Sequence, residues 1–423
     1  MKVKNDNKEY SEFFGWARHM DDFPRLERFL FREVDFPLES VILLIGGIAL
    51  AVTGGLLFFV SAGKLPYYEN GLFGVLLIVF ALQTITLGKT PFGDLRRSKP
   101  LLFFGLAIAS IGIITCCIPG IFGPLPRILL FACFGLGGVL QLLQAYFDET
   151  RLRTWLKCEG LFRHLFFACV GVYGLSILAG ILLWTQPPLP TSITATILLL
   201  FGFAVIYLGG VLRLVYRDYP GAESARSDRS GLSFDHSILL LTSIFMILIG
   251  TLLIPVNLGL LPFAANAQLG LLMIIFAIQM LASGNTPIGP FPHRSWFMIV
   301  LGVLFAALGI VSCVIPHVLV GPLTLLVGVL NILGGLLPLT KRLLISVRSA
   351  TESVAHPLLL SLSRSQLALN LLSVMFGTSM LIPGILPGLL IGVILAANGG
   401  VLLYLLRLLV AIAALGNEAP ESP

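Results

Sequence analysis

Long apolar stretches, separated by short polar connections, run along most of this chain. A helix needs about 20 mostly apolar residues to cross the hydrocarbon core of a membrane. The stretches lack the period-2 alternation of barrel strands and are too long for them. The pattern therefore predicts an all-α integral membrane protein with twelve transmembrane helices. These are expected near residues 41–61, 71–88, 101–118, 125–146, 165–185, 192–214, 237–255, 266–283, 296–315, 319–339, 366–382 and 386–412.

The composition agrees with this fold class. Of 423 residues, 57% are hydrophobic and 11% are charged, whereas a soluble domain is about 25% charged. A soluble globule of this size cannot hide so much apolar surface. A soluble enzyme, a disordered scaffold and a disulfide-stapled secreted domain are therefore excluded. The net charge of +6 does not indicate nucleic-acid binding, because no Lys/Arg-rich run occurs; the expected partner is the lipid bilayer.

The basic residues predict the orientation of the chain. All 27 Lys and Arg residues except Lys64 and Arg127 fall on one side of the predicted membrane. Short loops that carry Lys and Arg face the cytoplasm. Both termini and the central connection are therefore expected in the cytoplasm.

The sequence also contains an internal duplication. FALQTITLGKTP (80–91) matches FAIQMLASGNTP (276–287), and GIITCCIPGIFGP (112–124) matches GIVSCVIPHVLVGP (309–322). Six spans per half give both halves the same orientation, which is a parallel repeat. The predicted layout is a cytoplasmic N-terminal segment with an interfacial helix (1–40), a first six-helix repeat (41–216), a cytoplasmic linker (217–236), a second six-helix repeat (237–413) and a C-terminal tail (414–423).

Each repeat is predicted to consist of helical hairpins with proline in the outer turns: Pro66, Pro119, Pro187, Pro255, Pro316 and Pro383. Small residues let helix backbones approach closely in lipid, so Gly–Gly pairs in the returning helices predict packing contacts. These pairs are Gly137–Gly138, Gly209–Gly210, Gly334–Gly335 and Gly399–Gly400. Two i, i+4 stripes predict the same: Gly388, Gly392, Ala396 and Gly400, and Gly47, Ala51 and Gly55. The alternative interpretation is that these glycines leave room for a ligand.

A helix, a proline turn, a second helix and a Gly–Gly exit, clearest over 105–144 and weaker over 302–341 and 366–406, resemble the HdeD family of bacterial inner-membrane proteins. Such proteins typically have six spans, so the chain resembles two of them fused. The resemblance implies a location in the bacterial inner membrane and a role in acid or envelope stress, with no established biochemical activity.

Ionisable residues within spans usually mark proton relays and ion-coupled carriers. Every Asp and Glu is expected in a loop, a tail or at a span edge, which argues against a proton-coupled transporter or a mid-membrane enzyme. No phosphate-binding loop, dinucleotide fingerprint or hydrolase motif is present. Cys313 and His317, near the equivalent Cys116, could bind a soft metal, but no third ligand is evident. We therefore predict no catalytic residue, cofactor or metal site.

Four amide side chains within spans form the candidate polar positions: Gln83, Gln279, Asn331 and Asn398. Amides in hydrocarbon seek partners across helix interfaces, and the alternative is a polar path for a small neutral solute. Thr90-Pro91-x-Gly93 and Thr286-Pro287-x-Gly289 predict cytoplasmic turns or, alternatively, a pseudo-symmetric cytoplasmic mouth.

The N-terminal segment carries an apolar stripe over residues 22–35 with Phe13, Phe14 and Trp16 before it. This pattern predicts a helix lying at the cytoplasmic interface or docked on a membrane protein partner. Three functions fit the sequence: a non-enzymatic HdeD-like membrane protein related to stress, an accessory subunit of a larger membrane complex, and a channel or carrier for a small neutral solute.

Overall fold

The computed structural model describes residues 37–90, 92–94, 98–147, 160–184, 191–219, 234–286, 289–290, 295–348 and 357–418. The interfacial helix predicted over 22–35, most of the predicted linker and the end of the C-terminal tail lie outside these residues.

The described part of the chain is helical at each of the twelve predicted positions, which confirms the all-α membrane class. The helices are α1 (Leu38–Ser61), α2 (Glu69–Leu87), α3 (Lys99–Cys117), α4 (Leu125–Phe147), α5 (Leu161–Trp184), α6 (Thr191–Asp218), α7 (Phe234–Asn257), α8 (Ala265–Ser283), α9 (Trp296–Val314), α10 (Val320–Arg348), α11 (Pro357–Leu381) and α12 (Gly388–Glu418). Helix α4 contains a π-helical turn over Ala132–Leu136.

Eleven of these helices are long and apolar enough to cross a membrane, and α11 is the exception. Its N-terminal half carries Ser361, Ser363, Arg364 and Ser365. These side chains lower the apolar character of a helix that is otherwise 25 residues long.

Local signals set the helix ends at equivalent points of the two halves. Ser98 and Ser295 cap α3 and α9, because each hydroxyl accepts a hydrogen bond from the backbone three residues on, at 3.4 Å. Helices α2 and α8 both stop at a glycine with φ of 69°, Gly88 and Gly284. Glycine adopts this left-handed conformation without steric cost, so it ends a helix cleanly.

The same helix pairs form in both halves. Helix α1 packs along α6, α2 along α3, and α4 along α5; their counterparts are α7 with α12, α8 with α9, and α10 with α11. The halves meet through α1, α2 and α3 on one side and α7, α8 and α9 on the other. Helices α2 and α8 are central, since 78% of the apolar window of each is buried, against 28% in α5, α10 and α12.

This pairing corrects the predicted hairpins. The main partner of α1 is α6 rather than its neighbour in sequence, α2, because small residues on α1 and α6 let those two backbones approach more closely. Pro255 lies inside the last turn of α7 rather than in an outer turn, and Pro187 is outside the described residues.

Three boundaries also differ from the prediction. Helix α1 begins at Leu38, inside the segment expected to end at residue 40. Helices α6 and α12 continue past residues 216 and 413, to Asp218 and Glu418. The apolar stretch underestimates these helices because their polar last turns still form backbone hydrogen bonds.

Candidate functional site

The most extensive set of polar contacts between the two halves lies at the C-terminal ends of α3 and α9. The backbone N–H of Tyr68, just before α2, donates to the carbonyl of Val314, the last residue of α9, at 2.9 Å. At the equivalent point, the Ala264 N–H donates to the Cys117 carbonyl at 2.9 Å. The last carbonyls of a helix have no partner within that helix, so each half satisfies a helix end of the other.

Cys116 and Cys313 each lie one residue before the carbonyl that accepts one of these two hydrogen bonds, and both residues are 0% exposed. Each thiol donates to a carbonyl in its own half: Cys116 to Gly71 and Cys313 to Ala267, both at 3.7 Å. A thiol is a weak donor and a small apolar group, so the pair fits a tightly packed interior.

Glycine makes this approach possible. A Cβ added at Gly71 would overlap the Cys313 carbonyl oxygen. A Cβ added at Gly74 would lie 2.6 Å from the Cβ of Cys116, and one at Gly270 would lie 2.5 Å from the Cys313 sulfur. Larger residues at these three positions would push the halves and the paired helices apart.

The polar groups around the cysteines differ between the halves. The Tyr68 hydroxyl donates to the Cys116 carbonyl at 3.1 Å. Burial raises the pKa of the Tyr68 phenol, and the nearby Cys116 raises it further, so the phenol keeps its proton and remains a donor. On the other side, the Asn266 amide donates to the Ser312 carbonyl at 2.9 Å, and the Ser312 hydroxyl donates back to the Asn266 carbonyl at 2.7 Å.

A second polar cluster lies at the opposite, predicted cytoplasmic end. Tyr216 on α6 donates to the Glu39 carboxylate on α1 at 2.5 Å, and Glu39 is only 6% exposed. One turn away on α6, the Arg213 guanidinium lies 5.5 Å from the ring of Trp296, at the start of α9. Arg213 therefore links the halves through a cation–π contact.

Glu39 was expected in the N-terminal segment, outside the packed helices. The structure buries it in the first turn of α1, where a carboxylate is favoured by the positive end of the helix dipole. Asp35 lies four residues before Glu39, so Glu39 looks like part of the acidic N-terminal segment. The sequence signal for its burial is that its charge comes directly before a long apolar run.

The predicted polar-path residues are distributed over separate helix pairs. The Gln279 amide on α8 donates to the Thr242 hydroxyl on α7 at 3.5 Å. Asn331 on α10 accepts from the Ser373 hydroxyl on α11, at its backbone and side-chain oxygens. Gln83 and Asn398 are half-buried on α2 and α12. The Asn331 amide also donates to the Val327 carbonyl of its own helix at 2.8 Å. The contacts of Gln279 and Asn331 therefore lie at two different helix interfaces, α7–α8 and α10–α11.

The two Thr-Pro-x-Gly motifs form matching β-hairpins. Strand β1 (Lys89–Thr90) pairs with β2 (Gly93–Asp94), and β3 (Asn285–Thr286) pairs with β4 (Gly289–Pro290). The Thr90 hydroxyl accepts from the Phe92 N–H at 3.3 Å, a local turn contact. Pro91 and Pro287 lie outside the described residues.

In two of the four Gly–Gly pairs, the structure distinguishes the glycine that meets a neighbouring helix. Added Cβ atoms at Gly138, Gly209, Gly335 and Gly399 would meet α5, α1, α11 and α7, while those at Gly210 and Gly400 would meet nothing within 4 Å. Gly137 is buried and Gly334 is half-buried.

Among the described residues, no group of three or more His, Cys, Asp or Glu side chains is placed to hold a metal ion. His317 is exposed and adopts a φ of 70°, the left-handed conformation that its counterpart Gly120 also adopts with a φ of 76°. Its position is that of a turn residue after α9.

Comparisons with protein-family models, with curated proteins and with solved structures find no match to this chain. The resemblance to the HdeD family therefore stays a prediction from the sequence pattern.

Proposed function

We propose that this chain is a non-enzymatic membrane protein of twelve spans, arranged as two parallel six-helix repeats, with both termini in the cytoplasm of a bacterium. The observation that carries the proposal is the repeated contact between the halves. Tyr68 with Val314 and Ala264 with Cys117 are equivalent hydrogen bonds of equal length. A duplicated unit that meets its copy face to face would produce such a pair.

The contacts at this interface favour a structural role over a chemical one. Around Cys116 and Cys313 the halves are joined by backbone groups, glycines and neutral side chains. Enzymes and ion-coupled carriers in membranes generally place ionisable groups at their working site. The buried carboxylate of Glu39 is instead hydrogen-bonded to Tyr216 at a helix end.

A stress-related role, as the HdeD resemblance implies, is the function we put forward for this scaffold. In the native bacterium, deletion of the gene should reduce survival of an acid or envelope challenge. The native chain should restore survival, because the role needs the folded protein. Unchanged survival of the deletion strain under both challenges would contradict the role.

An accessory-subunit function is the second candidate, because large aromatic side chains at the end of α4 are exposed on the surface of the protein. Tyr146 and Phe147 are 72% exposed at the end of α4. Gentle solubilisation followed by affinity purification of the full chain separates the candidates. A stoichiometric membrane protein partner would support the subunit function, and lipid alone would favour the independent scaffold.

A further inference from the structure

We propose that Arg127 and Glu69 bind a zwitterionic phospholipid whose headgroup carries a primary ammonium, as in phosphatidylethanolamine. The site lies on the first half, where the first turn of α4 meets the first turn of α2. By the Lys/Arg distribution, these helix ends face away from the cytoplasm. Both charges lie at the very start of a spanning helix, which is the depth of the lipid headgroups.

The two charged side chains are held together and are still accessible. The Arg127 Nη2 group donates to the Glu69 Oε1 atom at 2.8 Å, and the guanidinium lies 6.0 Å from the centre of the Phe73 ring. Phe73 is only 4% exposed, so it gives the guanidinium a fixed surface to contact. The side chains of Arg127 and Glu69 are 26% and 46% exposed, so a ligand can reach both charges.

The pair has hydrogen-bonding groups left for a ligand. A guanidinium carries five N–H donors, and a carboxylate has two acceptor oxygens. Within the described part of the chain, the hydrogen bond of the pair uses one nitrogen of Arg127 and one oxygen of Glu69. The remaining donors suit a phosphate, which arginine binds in a forked geometry, and the remaining oxygen suits an ammonium. A phosphate joined to a primary ammonium by a short linker is the headgroup of phosphatidylethanolamine.

The charge balance of the pair distinguishes between lipids. The guanidinium and the carboxylate sum to zero, so the site matches a headgroup of zero net charge. The anionic phosphatidylglycerol has no cation to offer Glu69, and an unpaired charge in the complex disfavours a ligand. Phosphatidylcholine has the right charges, but its quaternary ammonium has no N–H group to donate to Glu69.

The neighbouring surface of α4 suits an acyl chain. Leu125, Ile128, Leu136 and Leu140 are between 37% and 53% exposed, and they follow the helix from its outer end into the membrane. A lipid with its headgroup on Arg127 can therefore lay a chain along this apolar surface.

The second half packs without these charges. Because Tyr68 and Ala264 are equivalent, Glu69 corresponds to Ala265, and the match of 112–124 with 309–322 aligns Arg127 with Leu325. Helices α8 and α10 still contact each other, as α2 and α4 do. The ion pair is thus not a requirement of the fold, which leaves it free to serve binding.

The test uses the full chain, purified in detergent and stripped of lipid. Dioleoyl phosphatidylethanolamine, phosphatidylcholine and phosphatidylglycerol are titrated separately, and native mass spectrometry measures the lipid bound per chain. The unaltered chain should bind phosphatidylethanolamine about tenfold more tightly than the other two lipids, which is the effect of one hydrogen bond to a charged group. Equal affinities for the three lipids would overturn the proposal, and this comparison needs no variant.

Glutamine variants identify the residues involved. Arg127→Gln should weaken the binding of phosphatidylethanolamine about tenfold, and Glu69→Gln should remove the preference for it over phosphatidylcholine. Lys64→Gln is the matched control, because Lys64 is the other basic residue predicted on this side and is exposed; it should bind as the unaltered chain does. Equal losses in Arg127→Gln and Lys64→Gln would assign binding to general charge and contradict the site.

Free phosphoethanolamine distinguishes the lipid from a soluble ligand with the same charges. Added at the concentration of the lipid, it should leave the bound lipid in place, because it has no acyl chain to contact α4. Full displacement at that concentration would overturn the assignment to a lipid. These readouts depend neither on survival under stress nor on a protein partner, so this inference and the proposed function fail separately.

Discussion

Single glycines determine which helix faces touch. The stripe predicted on α12 at strict i, i+4 spacing ended at Gly400, and the observed contact face ends at Gly399. On α1 the face likewise includes Gly54 rather than the predicted Gly55. A helix advances 3.6 residues per turn, so each step of four rotates the position by about 40°. A step of three residues rotates the position back toward the contact face. Whether the last step is three or four residues decides which member of a Gly–Gly pair meets the neighbouring helix.

Alanine substitutions at Gly399 and Gly400 should therefore differ sharply in stability. An added Cβ at Gly399 lies 2.6 Å from the Ser243 carbonyl oxygen, and one at Gly400 meets nothing within 4 Å. We expect Gly399→Ala to lower the free energy of unfolding by about 1–3 kcal/mol, as overpacking does, and Gly400→Ala to change it by less than about 0.5 kcal/mol. Unfolding in mixed micelles with increasing SDS measures both. Equal losses would show that this contact does not limit packing.

The helix pairs α4–α5 and α10–α11 share an equivalent interhelical hydrogen bond, although α4 contains a π-helical turn and α10 does not at that point. The Ser176 hydroxyl on α5 donates to the Phe134 carbonyl on α4 at 2.9 Å, and the Ser373 hydroxyl on α11 donates to the Asn331 carbonyl on α10 at 2.9 Å. Phe134 lies in the π-helical turn of α4, whereas α10 is α-helical at Asn331. A π turn leaves carbonyls available to other donors, and Ser176 uses one of them.

Replacing either serine should weaken its helix pair by a similar amount. Ser176→Ala and Ser373→Ala each remove one interhelical hydrogen bond, for an expected loss of about 0.5–1.5 kcal/mol. Ser110→Ala is the matched control, because among the described residues the Ser110 hydroxyl bonds to Leu106 of its own helix, at 2.8 Å. The same SDS titration provides the measurement. A loss in the control as large as in the two variants would assign the effect to helix propensity instead.

At the scale of the whole molecule, the apolar pattern predicts the helices well because each span must satisfy its backbone within itself. Partner choice was not predictable, since small-residue stripes on α1, α6, α7 and α12 look alike in sequence. Cys116 and Cys313 were recognisable as equivalents, but their burial where the two halves meet depends on how those halves face each other. Glu39 was missed because its partner Tyr216 is distant in sequence, so its place directly before a long apolar run does not reveal the contact.

The transmembrane status of α11 decides on which side the chain ends, and we expect it to cross. Its 25 residues extend about 37 Å at 1.5 Å per residue, which exceeds the 30 Å hydrocarbon core. Arg364 is exposed two turns from the helix start, where a long side chain reaches the interface, and the Ser365 hydroxyl bonds to its own helix at Ser361, at 2.9 Å.

Reporter insertions test this in the full chain. Reporters in the 349–356 connection and after residue 423 should both report cytoplasm. A reporter at 382–387 should report the opposite side, because a crossing α11 separates the 349–356 connection from the 382–387 turn. The 148–159 and 185–190 connections around α5 are the matched control, since α5 is the counterpart of α11 and is apolar enough to span. If 349–356 and 382–387 report the same side while the control sites report opposite sides, α11 does not cross. The chain would then have eleven spans and termini on opposite sides.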